Sequence, residues 1–297
     1  LSSLQVTEQR CEHLLNPTSI GGTVPLLSWQ LRAGRDAAAV TAYQVLVATS
    51  PDKLTPSRAD LWNSGKVAAD EWGTRCGYGG TILHARSQAY WTVRVWDERD
   101  KASAWSPAAS FGVGLLHAED WTARFIGMKP VEGKDECPVF RRTFQVEKVG
   151  AKTLLHVNSL GYHEAYLNGS PVTDAVLQPA VSELSKRSLI NTYDVTPLMR
   201  TGINDLVIHA GKGWYQPGLP GVVAGGPYVR AQLEALQGDT WQVLAATDST
   251  WQATSSGRTA FGDWRPLRFG GERVDGSSVP RDYSAASLDE RPWQAVT

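Results

Sequence analysis

Read for chemistry, the 297-residue sequence offers few of the spacings that a catalyst or a metal ion needs. His163-Glu164 is not followed by a second histidine at helical spacing, which excludes a zincin helix, and Gly211-Lys-Gly213 lacks the upstream glycine and the Ser/Thr of a phosphate loop. No Gly-x-Ser-x-Gly elbow occurs. His13, His84, His117, His156, His163 and His209 are scattered singly, whereas a metal site needs three or four convergent ligands, so no metal site is expected. The densest acidic group, Asp263, Glu272, Asp275 and Asp282, lies beside Trp264. It is interspersed with Arg258, Arg265, Arg268, Arg273 and Arg281, so solvated ion pairs are expected there rather than the two opposed carboxylates of a glycosidase. The common catalytic spacings thus fail one by one.

The informative excess is aromatic: twelve Trp and nine Tyr against six Phe. Aromatics with a polar handle suit surfaces that are apolar on one side and wet on the other, as sugar-stacking surfaces and sheet edges are. The loop Gly211-Lys-Gly-Trp-Tyr-Gln-Pro-Gly218 concentrates them. Its glycines permit close backbone approach, and Trp214 and Tyr215 are expected to offer a stacking face for the C–H surface of a sugar. Gln216, Tyr162 and Asn168 complete the carbohydrate-binding candidates. The competing expectation is that Trp214 plugs one end of a sandwich or packs on another domain.

Those loops need a scaffold, and composition bounds it. The balance of 29 Lys+Arg against 30 Asp+Glu gives a net charge of −1, with no basic run to grip a phosphate backbone, so nucleic acid is not an expected partner. A hydrophobic fraction of 42% and a charged fraction of 20% are globular values. No apolar stretch approaches the roughly 18 residues of a membrane span, and no membrane partner is expected. The chain opens at Leu1 with neither a methionine nor an apolar leader; a removed leader or a trimmed chain is the expectation, and the compartment is not readable from it. Cys11, Cys76 and Cys137 show no CxxC spacing and are expected to be ordinary thiols, with a Cys11–Cys76 bridge left open.

Short alternating segments with a turn signal every eight to twelve residues point to an all-β protein built of sandwiches. Pro25–Leu31, Tyr43–Ala48 and Trp91–Trp96 are expected strands of a first sandwich over residues 1–114. Trp29 is expected between its sheets, and Tyr90 at a strand corner, anchored through its hydroxyl. Phe140–Val146, Lys152–Asn158, Tyr162–Leu167, Asp205–Ala210 and Tyr228–Ala235 are expected strands of a second sandwich over 115–256. Asn168-Gly169 is a type I′ hairpin signal, because that turn needs positive φ at both positions; it accounts for the stretch without invoking the formal glycosylation sequon Asn168-Gly-Ser170. Thr196-Pro197 with Gly202 beyond reads as the one short helix. Residues 257–297 show little alternation and are expected to form an irregular excursion packing on something else.

Several stretches, in order, resemble the N-terminal half of bacterial-type α-L-rhamnosidases, which are multidomain glycoside hydrolases. They include Pro25-Leu-Leu-Ser-Trp29, Trp62-Asn-Ser-Gly-Lys-Val67, Tyr90–Trp96, Gly114–Trp121, Leu160–Gly169, Tyr193–Thr196, Gly211–Tyr215 and Gly270–Asp275. The resemblance implies a fibronectin type III-like sandwich, then a jelly-roll domain of carbohydrate-binding type, then a β-domain and a helical barrel carrying the acid and base carboxylates. It implies that the parent enzyme cleaves terminal α-L-rhamnose by inversion, and that this chain is its accessory, sugar-recognising front. The implied partners are a rhamnose-containing glycan or glycoside and the downstream barrel of the same parent chain; the alternative is a stand-alone binding or docking module. In some relatives the jelly roll binds rhamnose through calcium held by an Asp-Asn pair and helped by a Trp. Here Leu167 precedes Asn168, and Pro179-Ala-Val181 replaces a frequent Pro-Gly-Trp, so no cofactor is expected: Ca²⁺ takes about six to eight oxygens and Leu offers only its backbone.

Overall fold

A computed structural model describes residues 4–34, 39–71, 73–262 and 270–297, and Asp263, Trp264, Arg265 and Arg268 lie outside the described residues. The chain forms two compact units, Leu1–Asp120 and Trp121–Thr297. The expected all-β architecture is what the structure shows.

The first unit contains β1 (Leu4–Cys11), β2 (Leu26–Ala33), β3 (Val40–Ala48), β4 (Trp62–Asn63), β5 (Val67–Ala68), β6 (Arg75–Gly77), β7 (Gln88–Asp97) and β8 (Ala109–Gly112). One sheet runs β1-β2-β6 and the other β4-β3-β7-β8, with β5 beside β3. Strand β7 shows why the alternation was readable. Trp91, Val93 and Val95 point one way into the core, as side chains two apart must, and all three are fully buried with Leu27, Val45, Val47 and Phe111. Trp29 is buried as expected and meets Tyr43 edge-on at 5.5 Å. Among the described residues the anchoring hydroxyl is that of Tyr78 rather than Tyr90, and it donates to the Thr81 carbonyl at 2.8 Å.

Cys11, Cys76 and Cys137 are free and buried. Cys11 and Cys76 sit opposite Leu27 from its two sides, on β1 and β6. Two strand spacings separate their backbones by about 10 Å, beyond the roughly 7 Å that a disulfide spans.

The second unit contains β9 (Asp135–Val146), β10 (Lys152–Leu160), β11 (Tyr162–Leu167), β12 (Ser170–Pro171), β13 (Ile190–Asp194), β14 (Gly202–Gly211), β15 (Tyr228–Gln237), β16 (Thr240–Ala246), β17 (Gln252–Phe261), β18 (Gly271–Val274) and β19 (Gln294–Ala295) and, among the described residues, one α-helix, α1 (Ala285–Leu288). A four-stranded sheet β13-β10-β15-β16 faces a seven-stranded sheet β12-β11-β14-β9-β17-β18, in which β19 also pairs with β17. Between them lie Phe140, Leu155, Val157, Leu167, Leu206, Ile208, Leu233 and Trp251, all essentially without exposure. The Asn168-Gly169 turn joins β11 to β12 with φ of 54° and 83°.

Two local expectations change. Thr196–Leu198 is a single 3-10 turn, not an α-helix. Thr196 does not cap it, because its hydroxyl donates to Asp194 and accepts the Thr153 amide of β10. The stretch after Gly270 is no detached excursion: β18 and β19 extend the seven-stranded sheet, and the chain between them lies over that sheet's outer face. There Leu288 packs on Val139 and Val207, with Tyr166, Tyr283 and Trp293 around them. Ser284 caps α1 by accepting the Ser287 amide. Arg141 fastens this strap, bonding Asp205 at 2.8 Å and Asp289 at 2.7 Å.

Candidate functional site

Where the strap leaves the sheet, a cleft of about 180 Å³ opens on the outer face, lined by Tyr162, Glu164, Leu177, His209, Arg258 and Glu272 among others. Sheet register assembles it. Antiparallel pairing sets Tyr162 against Gly211 and Glu164 against His209, on the face opposite the core residues Ala165 and Leu167. Pairing of β17 with β18 brings Arg258 and Glu272 to the same region, with the Arg258 guanidinium 3.6 Å from the Glu272 carboxylate.

Among the described residues the charged groups here are only partly engaged. Glu164 Oε2 accepts the Tyr166 hydroxyl at 2.9 Å and lies 3.8 Å from His209 Nδ1. His209, then the Tyr166 hydroxyl and the Arg258 charge, hold the Glu164 carboxyl down at about 2 against the opposing effect of burial. At 3.8 Å the His209 contact is longer than a hydrogen bond, so it acts mainly through proximity of charge and dipole. The His209 ring stacks on Tyr283, which stacks on Tyr166 at 4.2 Å, so the strap fixes this wall of the cleft. On the other wall, Glu272 has among the described residues the weak Cys137 thiol at 3.7 Å and Arg258. Burial first, and Glu272 next, push that thiol up to about 12. Among the described residues Arg258 Nε and His209 Nε2 are buried without a hydrogen-bond partner.

The two glycines of Gly211-Lys-Gly213 serve this cleft. A Cβ on Gly213, whose φ is 48°, would lie 2.4 Å from the Tyr162 ring, and one on Gly211 would lie 3.1 Å from Glu272 Oε1. The Lys212 between them is buried and pairs with Asp135 at 2.6 Å. Close approach was readable from those glycines; that the approaching groups are the protein's own Tyr162 and Glu272 was not.

The aromatic pair itself turns inward. Trp214 and Tyr215 are 5% and 0% exposed, so neither presents an open face. Tyr215 closes its loop, with its hydroxyl donating to the Val223 carbonyl and accepting the Val223 amide, both at 3.0 Å. Gln216 donates to the Gly213 carbonyl at 2.9 Å. Asn168 is spent on the hairpin: its amide donates to Leu198 and Asn204, and its Oδ1 accepts the Asp205 amide. With that oxygen engaged, Leu167 in the core and Asp205 bonded to Arg141, the hairpin does not fit a calcium ion. Among the described residues no group of three or more His, Cys, Asp or Glu could hold a metal. Of the candidates named from the sequence, only Tyr162 lines the cleft; Glu164, His209 and Glu272 join it through register, and Arg258 with them. Asp275 and Asp282 are turn acceptors for neighbouring serines.

A larger open hollow of about 870 Å³ beside β17 is lined in part by Glu136, Asp275 and Arg291. Three of its polar groups are engaged internally: Arg291 donates to the Ser255 and Ser278 carbonyls, Asp275 accepts from Ser277 and Ser278, and Glu136 accepts from Ser255. The smaller cleft, with Tyr162, Glu164, Arg258 and Glu272 on its walls, is the better candidate.

Residues 148–297, half of the chain, match the model of the alpha-L-rhamnosidase N-terminal domain. The chain belongs to the α-L-rhamnosidase N-terminal domain family. Residues 6–117 match the Rha78A-like N-terminal immunoglobulin domain, which gives the first sandwich an immunoglobulin-like assignment where fibronectin type III was expected. Among curated relatives, an alpha-L-rhamnosidase of Formosa agariphila is 30% identical over 96% of this chain but only 32% of its own length. One from Streptomyces avermitilis is 36% identical over 100% of this chain and 29% of its own. The solved α-L-rhamnosidase of Dictyoglumus thermophilum, 27% identical, superposes with a TM-score of 0.84 over 98% of this chain and 34% of that one. This rhamnosidase N-terminal region thus spans about a third of the relatives it matches.

Proposed function

We propose that the chain is the substrate-recognising N-terminal part of an α-L-rhamnosidase whose larger parent hydrolyses terminal α-L-rhamnosyl bonds by inversion. The observation that carries this reading is collinearity: the similarity runs through 96% of the chain and through about a third of the relative. In this reading the first unit is an immunoglobulin- or fibronectin-like spacer and the second a jelly-roll sandwich of carbohydrate-binding type. The acid and base carboxylates belong to a helical barrel in the remaining two thirds, and the partners are a rhamnose-containing glycan and that barrel.

The cleft suits binding rather than cleavage. A glycosidase acid must hold its proton near neutral pH, which takes a raised pKa. Glu164 is held down at about 2, and Arg258 stands close to both it and Glu272. A carboxylate held down in this way accepts hydrogen bonds but does not deliver a proton.

A chimera tests the reading: this chain replaces the corresponding third of the Formosa agariphila relative. A folded chimera should release L-rhamnose from an aryl α-L-rhamnoside, while the 297-residue chain alone releases none. A folded but inactive chimera, or hydrolysis by the chain alone, overturns it.

A further inference from the structure

We propose that the cleft between β11, β14, β17 and β18 binds one neutral pyranose, whose adjacent hydroxyls donate to Glu164 and Glu272 and accept from Arg258, with a C–H face of the ring against Tyr162. The choice of a sugar among neutral polyols rests on the family reading above; the location and the preference for a neutral ligand rest on the cleft.

Size comes first. Sites for drug-sized ligands run to roughly 300–1,000 Å³. At about 180 Å³ this cleft holds one ring rather than an extended chain. Its chemistry then narrows the ligand. Ionised carboxylates only accept hydrogen bonds and a guanidinium only donates them, so the ligand must bring both donors and acceptors close together, as vicinal hydroxyls do. Among the described residues Glu164 is engaged through Oε2 alone and Arg258 meets Glu272 at 3.6 Å, so both retain capacity for a ligand. Two carboxylates against one guanidinium leave a negative local charge, which disfavours uronates and phosphates. Tyr162, backed by Gly213, supplies the flat surface on which an axial C–H face packs. Leu177, 69% exposed at the rim, offers an apolar contact to a deoxy methyl group. The loop carrying it is tied to β11, the His163 amide donating to the Gln178 carbonyl at 2.8 Å.

The test is titration of the 297-residue chain with L-rhamnose, D-mannose and D-glucuronate by isothermal calorimetry. Wild type should bind L-rhamnose saturably in the millimolar range and D-glucuronate at least tenfold more weakly, with D-mannose between them. Glu272→Gln and Tyr162→Ala should each weaken L-rhamnose at least tenfold, with unchanged circular dichroism. Should Tyr162→Ala fail to fold, Glu164→Gln replaces it with the same expectation. Equal affinity for glucuronate, or rhamnose binding indifferent to these variants, overturns the proposal. No binding of any pyranose by wild type overturns it too, and an active chimera would then leave the family reading standing.

Discussion

His163 gives the sharpest quantitative test of how the second unit holds its binding strand. The side chain is 5% exposed. Its Nδ1 contacts the Ser159 hydroxyl at 2.7 Å and its Nε2 the Tyr193 hydroxyl at 2.8 Å, while Tyr193 donates onward to Gln178. With that proton committed to Gln178, Tyr193 accepts from Nε2–H, and in the neutral tautomer that burial favours Nδ1 accepts from the Ser159 hydroxyl, whose longer second contact is the Gly161 carbonyl at 3.2 Å. Burial holds this imidazole down at about 4 from 6.5, with the nearby Glu164 charge opposing. The unfolded chain takes up the proton below 6.5 and the folded chain only below about 4, so stability is full above 6.5 and falls as the pH drops between those values. At about 1.4 kcal/mol per pH unit the full interval is worth about 3 kcal/mol, and about 2 kcal/mol of it is lost by pH 5. Urea unfolding of the second unit, read from β10 and β11 amide signals at about pH 7.5 and pH 5, measures it. Wild type should lose about 2 kcal/mol more than His163→Gln across that step. Equal losses in the two proteins refute the reasoning, whatever the absolute stability of the variant.

Other expectations follow from the same contacts. Gly213→Ala sets a Cβ against the Tyr162 ring and a side chain at positive φ; it should cost on the order of 1 kcal/mol or more in stability and move the Tyr162 ring resonances, read by denaturation and NMR. Arg141→Ala strands the buried Asp205 carboxylate, 5% exposed, and loosens the strap; a loss of about 3–5 kcal/mol is expected in urea unfolding, and a loss below 1 kcal/mol would deny the pair its role. All three thiols are buried and lifted to about 12. Ellman's reagent should therefore label none of them quickly in native protein and all three in denaturant.

Most of the strand map was legible because those strands have one dry and one wet face. Tyr162–Leu167 alternates and is β11 to the residue. Strand β10 is less regular, being buried on both faces. Its outer side is covered by the Trp121 segment, where Trp121 meets His156 edge-on and Arg230 stacks on Trp121 at 4.2 Å. The region after Gly270 hid its order for the opposite reason: all four residues of β18 are exposed, so pairing with β17 fixes it and no burial period marks it.

The candidate site was legible in part. Tyr162 and the glycines of Gly211-Lys-Gly213 could be singled out from residue type. Trp214 and Tyr215 drew attention for their rings, but the Tyr215–Val223 closure turns the loop inward, a contact with no local signature. Glu164 and His209 face each other only because β11 pairs with β14 across more than forty residues of chain. No spacing rule exposes such a pair. Glu272 was noticed among acids interspersed with arginines, and its ion pair with Arg258 is present; what the sequence lacked was the cleft around it.

The most direct test of the central claim is a ¹H–¹⁵N NMR titration of the chain with L-rhamnose. Saturable shifts should concentrate at Glu164, at residues 209–213, at Arg258 and at Glu272. Shifts confined to the hairpin at Asn168 and Gly169, or to the first unit, would contradict the account.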